Sequence, residues 1–91
     1  MIEIYYTQQF ETAENHESIA ASNRIIQDAA FNFQNIYLKG IADEFKLGKD
    51  TIKIVLNFNE NNEIIWAFQT DPSDEIKEAI RNRLKKFSTA T

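Results

Sequence analysis

The sequence predicts an α+β fold: a three-stranded mixed sheet with a long helix, broken or unbroken, and a C-terminal helix packed on one face. Two observations predict it. Residues 2–7 and 51–58 carry large apolar side chains at every second position, and residues 64–68 repeat this spacing with Ile64, Trp66 and Phe68, which is the period of half-buried strands. Residues 17–47 and 72–87 instead repeat apolar side chains at the spacing of amphipathic helices. The predicted order of elements is β-α-β-β-α.

The first strand is predicted at the start of the chain, where apolar Ile2, Ile4 and Tyr6 alternate with Glu3, Tyr5 and Thr7. A polar, acidic stretch follows. Its Thr12, Asn15 and Ser18 can each cap a helix by accepting a hydrogen bond from a free backbone amide. The long helix is therefore expected to begin within or just after this stretch.

The long helix has one apolar stripe, formed by Ile19, Ile26, Ala30, Phe33, Tyr37 and Ile41. It is expected to end at Leu47, because Gly48 can adopt the left-handed conformation that closes a helix. An unbroken helix over 17–47 would measure about 45 Å, whereas a globule of this length has a radius of gyration of about 12 Å. Either the helix breaks near Asn35 or Gly40, or its end projects and packs on a second copy. We favour the break, since β-prone residues and a glycine weaken the helix there.

A hairpin and a final helix complete the predicted fold. The asparagine-rich residues 59–62 separate two alternating stretches and favour a tight turn, because asparagine tolerates positive φ. Asp71 can cap the final helix, and Pro72 suits its first position, where no amide donor is needed. Residues 88–91 follow the last apolar position of this helix and are expected to fray.

Composition limits the class of protein. The length of 91 residues predicts a single domain spanning 1–91. Cysteine is absent, which excludes a disulfide scaffold and favours a reducing compartment. The first residues lack a secretory-signal pattern and no apolar run approaches the ~20 residues of a membrane span, so we expect a cytoplasmic protein. The 13 isoleucines and 9 asparagines suggest an AT-rich genome, such as those of phages and plasmids that encode small acidic inhibitors of host machinery.

No combination of residues predicts catalysis. The single histidine, His16, lies in a polar stretch typical of a solvated helix start. The adjacent carboxylates at 43–44 and 74–75 diverge by about 100° on a helix, so they do not face each other across a cleft. Two separate glycines are too few for a phosphate-binding loop. We therefore expect a non-enzymatic protein with no metal site and no small-molecule cofactor.

The sheet face turned away from the helices is predicted to be unusually apolar. It carries Tyr5, Val55, Ile65 and Ala67, whereas a free antiparallel face is usually more polar. A contiguous aromatic and aliphatic patch usually marks an interface, and Tyr5 suits one because it is rigid and amphipathic. We therefore expect a small regulatory or inhibitor protein that acts by protein–protein interaction, binding a protein partner and forming a homodimer through this face or the long helix.

A basic cluster supports an alternative function. Residues 72–91 carry 5 basic and 3 acidic side chains, whereas residues 1–71 carry 5 and 11. Four of the cations lie together at the end of the final helix: Arg81, Arg83, Lys85 and Lys86. They can track a phosphate backbone, which would make the protein a nucleic-acid-binding accessory protein. The competing interpretation is that cations at this end complement the helix dipole.

Overall fold

The structure is a computed structural model, and it describes residues 1–10, 14, 16–47, 51–61 and 63–89. Its elements in chain order are strand β1 (Ile2–Tyr6), helix α1 (His16–Asn32), a π-helix (Phe33–Tyr37), helix α2 (Ile41–Glu44), strands β2 (Ile52–Phe58) and β3 (Ile64–Phe68), helix α3 (Asp74–Arg83) and strand β4 (Ser88–Thr89). The predicted helix caps Thr12 and Asn15, the predicted helix-closing Gly48 and Asn62 of the turn lie outside the described residues.

The sheet confirms the predicted mixed α+β architecture and corrects its size. Its strands lie in the order β1-β2-β3-β4, with β2 parallel to β1 and antiparallel to β3. The prediction of three strands is wrong, because β4 pairs parallel with β3 and aligns Ser88 with Ile65. The Thr89 hydroxyl donates a hydrogen bond of 3.1 Å to the Trp66 carbonyl. Ser88 and Thr89, which were expected to fray, are polar and exposed, so backbone pairing and the Thr89 hydroxyl place them and no apolar pattern marks the strand.

One core packs two helical segments, the first running from α1 to α2 and the second α3, against the same face of the sheet. The largest side chains with less than 2% exposure come from all of these elements. They are Ile26 of α1, Phe33 of the π-helix, Ile41 of α2, Ile54, Leu56 and Trp66 of the sheet, and Ile80 and Leu84 of α3 and its end. Burying each aliphatic or aromatic side chain of this size contributes roughly 1.5–3 kcal/mol. The core residues of β1, β2 and β3 all have even numbers, so the odd-numbered side chains of these three strands point to the other face.

The long helix bends instead of running straight. α1 passes directly into the π-helix, where the Leu38 amide donates to the Phe33 carbonyl over 2.9 Å, five residues back. The Asn35 side-chain amide donates to the Phe31 carbonyl over 2.9 Å as the backbone pattern changes. The chain then turns at Gly40, whose φ of +87° favours glycine, before α2 begins. The predicted break near Asn35 or Gly40 is confirmed.

Asn59 organises the predicted hairpin turn. Its side-chain oxygen accepts hydrogen bonds of 2.9 Å from the backbone amides of Asn61 and Glu63. Its own amide donates to the Glu63 carbonyl over 2.9 Å. The asparagine-rich turn therefore follows from side-chain capping of the local backbone, as the sequence indicated.

The final helix begins slightly later than predicted. Its first residue is Asp74, preceded by Ser73 in an extended conformation at the N-cap, rather than Pro72 preceded by Asp71. The Asp71 carboxylate instead pairs with the Lys77 ammonium, one turn into the helix. A side-chain partner therefore takes the place of the backbone amides that Asp71 was expected to cap.

Candidate functional site

The face of the sheet opposite the helices, which we call the open face, is built from alternate residues of β1, β2 and β3. Strand register aligns Tyr5 with Val55, and Val55 with Ala67, so these three side chains form one row across the sheet. Ile65 lies two residues before Ala67 on β3 and is aligned with Asn57. The structure therefore brings the four residues of the predicted interface together in one patch.

Polar side chains flank this row on both sides. Glu3 of β1 is aligned with Lys53 of β2 on one side. On the other side the Thr7 hydroxyl donates to the Asn57 side-chain oxygen over 2.7 Å. The open face thus has an apolar centre and polar margins, which is the layout of a protein interface with a core and a rim.

Tyr5 is tied to the polar margin next to it. Its hydroxyl donates a hydrogen bond to the Glu3 carboxylate, and the Lys53 ammonium lies 6.0 Å from the centre of its ring. The hydrogen bond to Glu3 is the main reason why the pKa of Tyr5 is raised above 10.0, and desolvation and the negative charge of Glu3 add to it. Tyr5 is therefore a neutral hydrogen-bond donor at physiological pH.

The open face is accessible to a partner. Tyr5 is 44% exposed, and Val55, Ile65 and Ala67 are partly exposed. None of the four belongs to the core cluster, and none of the partly buried side chains packed against that cluster comes from this face. The apolar row can therefore be covered by another surface without any rearrangement of the monomer.

Arg83, one of the four residues of the predicted nucleic-acid surface, is engaged within the protein. Its guanidinium donates to the Lys39 carbonyl over 2.9 Å and to the Glu44 carboxylate over 3.2 Å. It also lies 3.4 Å from the Tyr37 carbonyl. These contacts occupy the planar donor fork that would otherwise face a phosphate.

Two of the other three cations lie over aromatic rings. The Arg81 guanidinium is 5.7 Å from the centre of the Phe68 ring, and the Lys86 ammonium is 4.5 Å from that of Tyr37. The side chain of Lys85 makes no ion pair, hydrogen bond or ring contact among the described residues. A phosphate backbone would have to compete with these internal contacts at three of the four positions.

A second apolar surface was missed by sequence reasoning. A groove of about 400 Å³ lies between α1 and the segment after α3, lined by Ile25, Tyr37, Ile64 and Phe87 among others. Ile25 is 58% exposed although it neighbours the fully buried Ile26. Two adjacent isoleucines on one helix point in different directions and cannot both face the core, so this pair in the sequence could have indicated an apolar side chain on the surface.

The fold and the open face define a small α+β protein whose four-stranded sheet is covered by helices on one side. No protein-family model, curated protein or solved structure matches the chain. None of the helices in the described ranges is long and apolar enough to cross a membrane. The same residues contain no group of three or more histidine and carboxylate side chains that could hold a metal ion.

Proposed function

We propose that this protein is a non-enzymatic regulator or inhibitor that acts by binding a protein partner on the open face of its sheet. The observation that best supports the proposal is the row formed by Tyr5, Val55 and Ala67, on a face that contributes nothing to the core. Removing apolar surface from water is worth about 25 cal/mol per Å², so a partner that covers this row gains free energy. An exposed apolar patch with polar margins is typical of an interaction surface.

The layout of the face indicates the chemistry of the partner. The face of a sheet offers a broad surface rather than a deep groove, so it suits a folded protein better than an extended chain. Tyr5 is the expected anchor, because its ring is apolar while its hydroxyl and neighbouring Glu3 are polar. We therefore propose a partner with a flat apolar patch surrounded by groups that hydrogen-bond to Glu3, Lys53 and Asn57.

The first experiment compares capture from a lysate of the native host by three immobilised forms. These are the wild type, the open-face variant Tyr5→Glu/Ile65→Glu and the control Ile36→Glu. Ile36 lies on the π-helix and is 62% exposed, so the control introduces a single negative charge away from the open face. One protein should be retained by the wild type and the control and lost from the open-face variant.

The second step measures the affinity of the captured and purified protein for each form by calorimetry. The open-face variant should bind at least about 100-fold more weakly, or about 2.7 kcal/mol, while the control should match the wild type. Circular dichroism checks that all three forms are folded. Equal affinities for the folded wild type and the folded open-face variant would contradict the proposal.

A further inference from the structure

No strand in the described part of the chain pairs with the outer side of β1. In the strand order β1-β2-β3-β4, β1 pairs with β2 only. The Ile52 amide donates to the Met1 carbonyl and the Thr7 amide donates to the Leu56 carbonyl, so odd-numbered residues of this segment turn their backbone groups toward β2. In a parallel ladder the amide and the carbonyl of one residue point to the same side. The outward backbone groups are therefore those of Ile2, Ile4 and Tyr6.

β1 has few of the features that normally protect an edge strand, and Glu3 is its single charged residue. Natural edges are shortened, interrupted by a bulge, or carry proline or lysine. β1 has five residues, isoleucine, glutamate, isoleucine and two tyrosines, and its register with β2 is regular. The opposite edge, β4, is only two residues long. Among the described residues, no loop hydrogen-bonds to the outward backbone groups of Ile4 or Tyr6.

We propose that two copies of this protein pair through β1 in antiparallel orientation, about a twofold axis at Ile4. The two four-stranded sheets then form one continuous sheet. The same surface is used by both copies, as in most symmetric dimers. This inference uses the backbone edge of the sheet and does not rest on the function proposed for the open face.

Backbone geometry selects this register. With Ile4 opposite Ile4 of the second copy, Ile2 lies opposite Tyr6 of that copy. Every residue whose backbone groups point outward then faces another such residue, and about six hydrogen bonds form. An axis at Glu3 or at Tyr5 would leave one outward residue of each β1 strand unpaired and form only about four. An axis at Glu3 would also place two carboxylates directly opposite each other, which is destabilising.

Side chains support the same register. Glu3 lies opposite Tyr5 of the second copy, in a pair whose Cα atoms are about 4.5 Å apart. The phenol and the carboxylate already form a hydrogen bond within one chain, so they are also complementary across the axis. The two Glu3 residues are then diagonal neighbours, about 7–8 Å apart. The open faces of both copies lie on the same side of the joined sheet, and each apolar row ends opposite Glu3 of the other copy.

The first test is the oligomeric state by analytical ultracentrifugation, for wild type, Ile4→Pro and Ile4→Ala. Proline removes only an amide that points away from β2, whereas alanine removes the side chain and keeps that amide. We expect a wild-type dimer at about 10–500 μM, retained by Ile4→Ala and weakened at least about 30-fold by Ile4→Pro. A monomeric wild type over this range overturns the proposal, as does an equally tight dimer of folded Ile4→Pro.

The second test determines the pairing register by disulfide cross-linking, and it can be carried out even if Ile4→Pro fails to fold. The chain contains no cysteine, so single cysteines can be introduced without background. A mixture of Glu3→Cys and Tyr5→Cys should form a disulfide-linked heterodimer under mild oxidation, because those Cα atoms lie within disulfide range. Either variant alone should cross-link poorly, since its two cysteines are beyond about 7 Å. Efficient cross-linking of Glu3→Cys alone, or none in the mixture, overturns this register.

The two proposals fail separately. A monomer that still binds its host protein through the open face overturns the dimer alone. A dimer that retains its partner after Ile65→Glu, a change on β3 that leaves the β1 edge untouched, overturns the docking face alone.

Discussion

The guanidinium of Arg83, at the end of α3, lies 2.9 Å from the carbonyl oxygen of Lys39, in the turn after the π-helix. A second nitrogen of the same group lies 3.2 Å from the Glu44 carboxylate. Carbonyls at the end of a helix lack intrahelical amide partners, and the planar fork of arginine satisfies them well. Arg83 thus caps the bent helix from another part of the chain. Neither the phosphate-binding interpretation nor the helix-dipole interpretation of the sequence included this role.

Removal of this tertiary contact should destabilise the protein. Arg83→Ala is expected to lower the free energy of unfolding by about 1 kcal/mol, because charged hydrogen bonds are lost but the side chain is partly solvated. Arg83→Lys should restore only part, since lysine lacks the fork. Urea denaturation followed by the fluorescence of the single, buried Trp66 measures both. Lys85→Ala is the control and should change stability by less than about 0.5 kcal/mol; an equal loss there would contradict the assignment.

The backbone at Gly40 predicts a graded series of substitutions. A Cβ atom at Gly40 would meet nothing within 4 Å, so the cost of a side chain comes from its φ of +87° alone. Gly40→Ala should therefore cost about 1 kcal/mol of stability. Gly40→Asn should cost less, because asparagine tolerates positive φ. Thermal unfolding by calorimetry checks the order, and an asparagine variant less stable than the alanine variant would show that backbone conformation is not the cause.

The pair formed by Asp71 and Lys77 predicts a pH dependence. The hydrogen bond and the charge of Lys77 hold the pKa of Asp71 below 3.8. Because the folded-state pKa is lowered, the stabilisation is present above the unfolded pKa of about 3.9 and is lost as pH falls through the folded pKa. In Lys77→Met the pKa of Asp71 should rise toward its ordinary value. NMR titration of the Asp71 carboxyl in wild type and variant tests this, and an unchanged Asp71 titration would refute the pairing.

The internal contacts of the basic cluster predict weak nucleic-acid binding. With a net charge of −4 and three of four cations engaged, the protein should not shift duplex DNA or RNA at about 200 mM salt. Mobility-shift assays at about 50 and 200 mM salt test this, with Lys85→Glu as the comparison. A complex that forms at low salt, weakens steeply with salt and is lost in Lys85→Glu would favour the accessory-protein alternative.

Local patterns predicted most of the elements. The placement of Ile52, Ile54 and Leu56 at every second position specified β2 and its buried face, because side chains of a strand alternate between faces. Asn59 specified its turn through short-range side-chain hydrogen bonds. The residues of the open face followed from the same alternation, since whatever does not face the core must face the other side. Ser88 and Thr89 could not be found this way, because two polar residues carry no periodicity.

The amino-acid sequence alone settled which strand residues point into the core and where the chain turns, because those outcomes depend on side-chain period and short-range hydrogen bonds. Three features required the folded chain: the contact of Arg83 with the bent helix, the pairing of β4 with β3, and the position of β1 at an open edge. Each depends on which distant segments become neighbours. That choice is made by packing of the whole core and by backbone groups that every residue shares, so no local pattern encodes it.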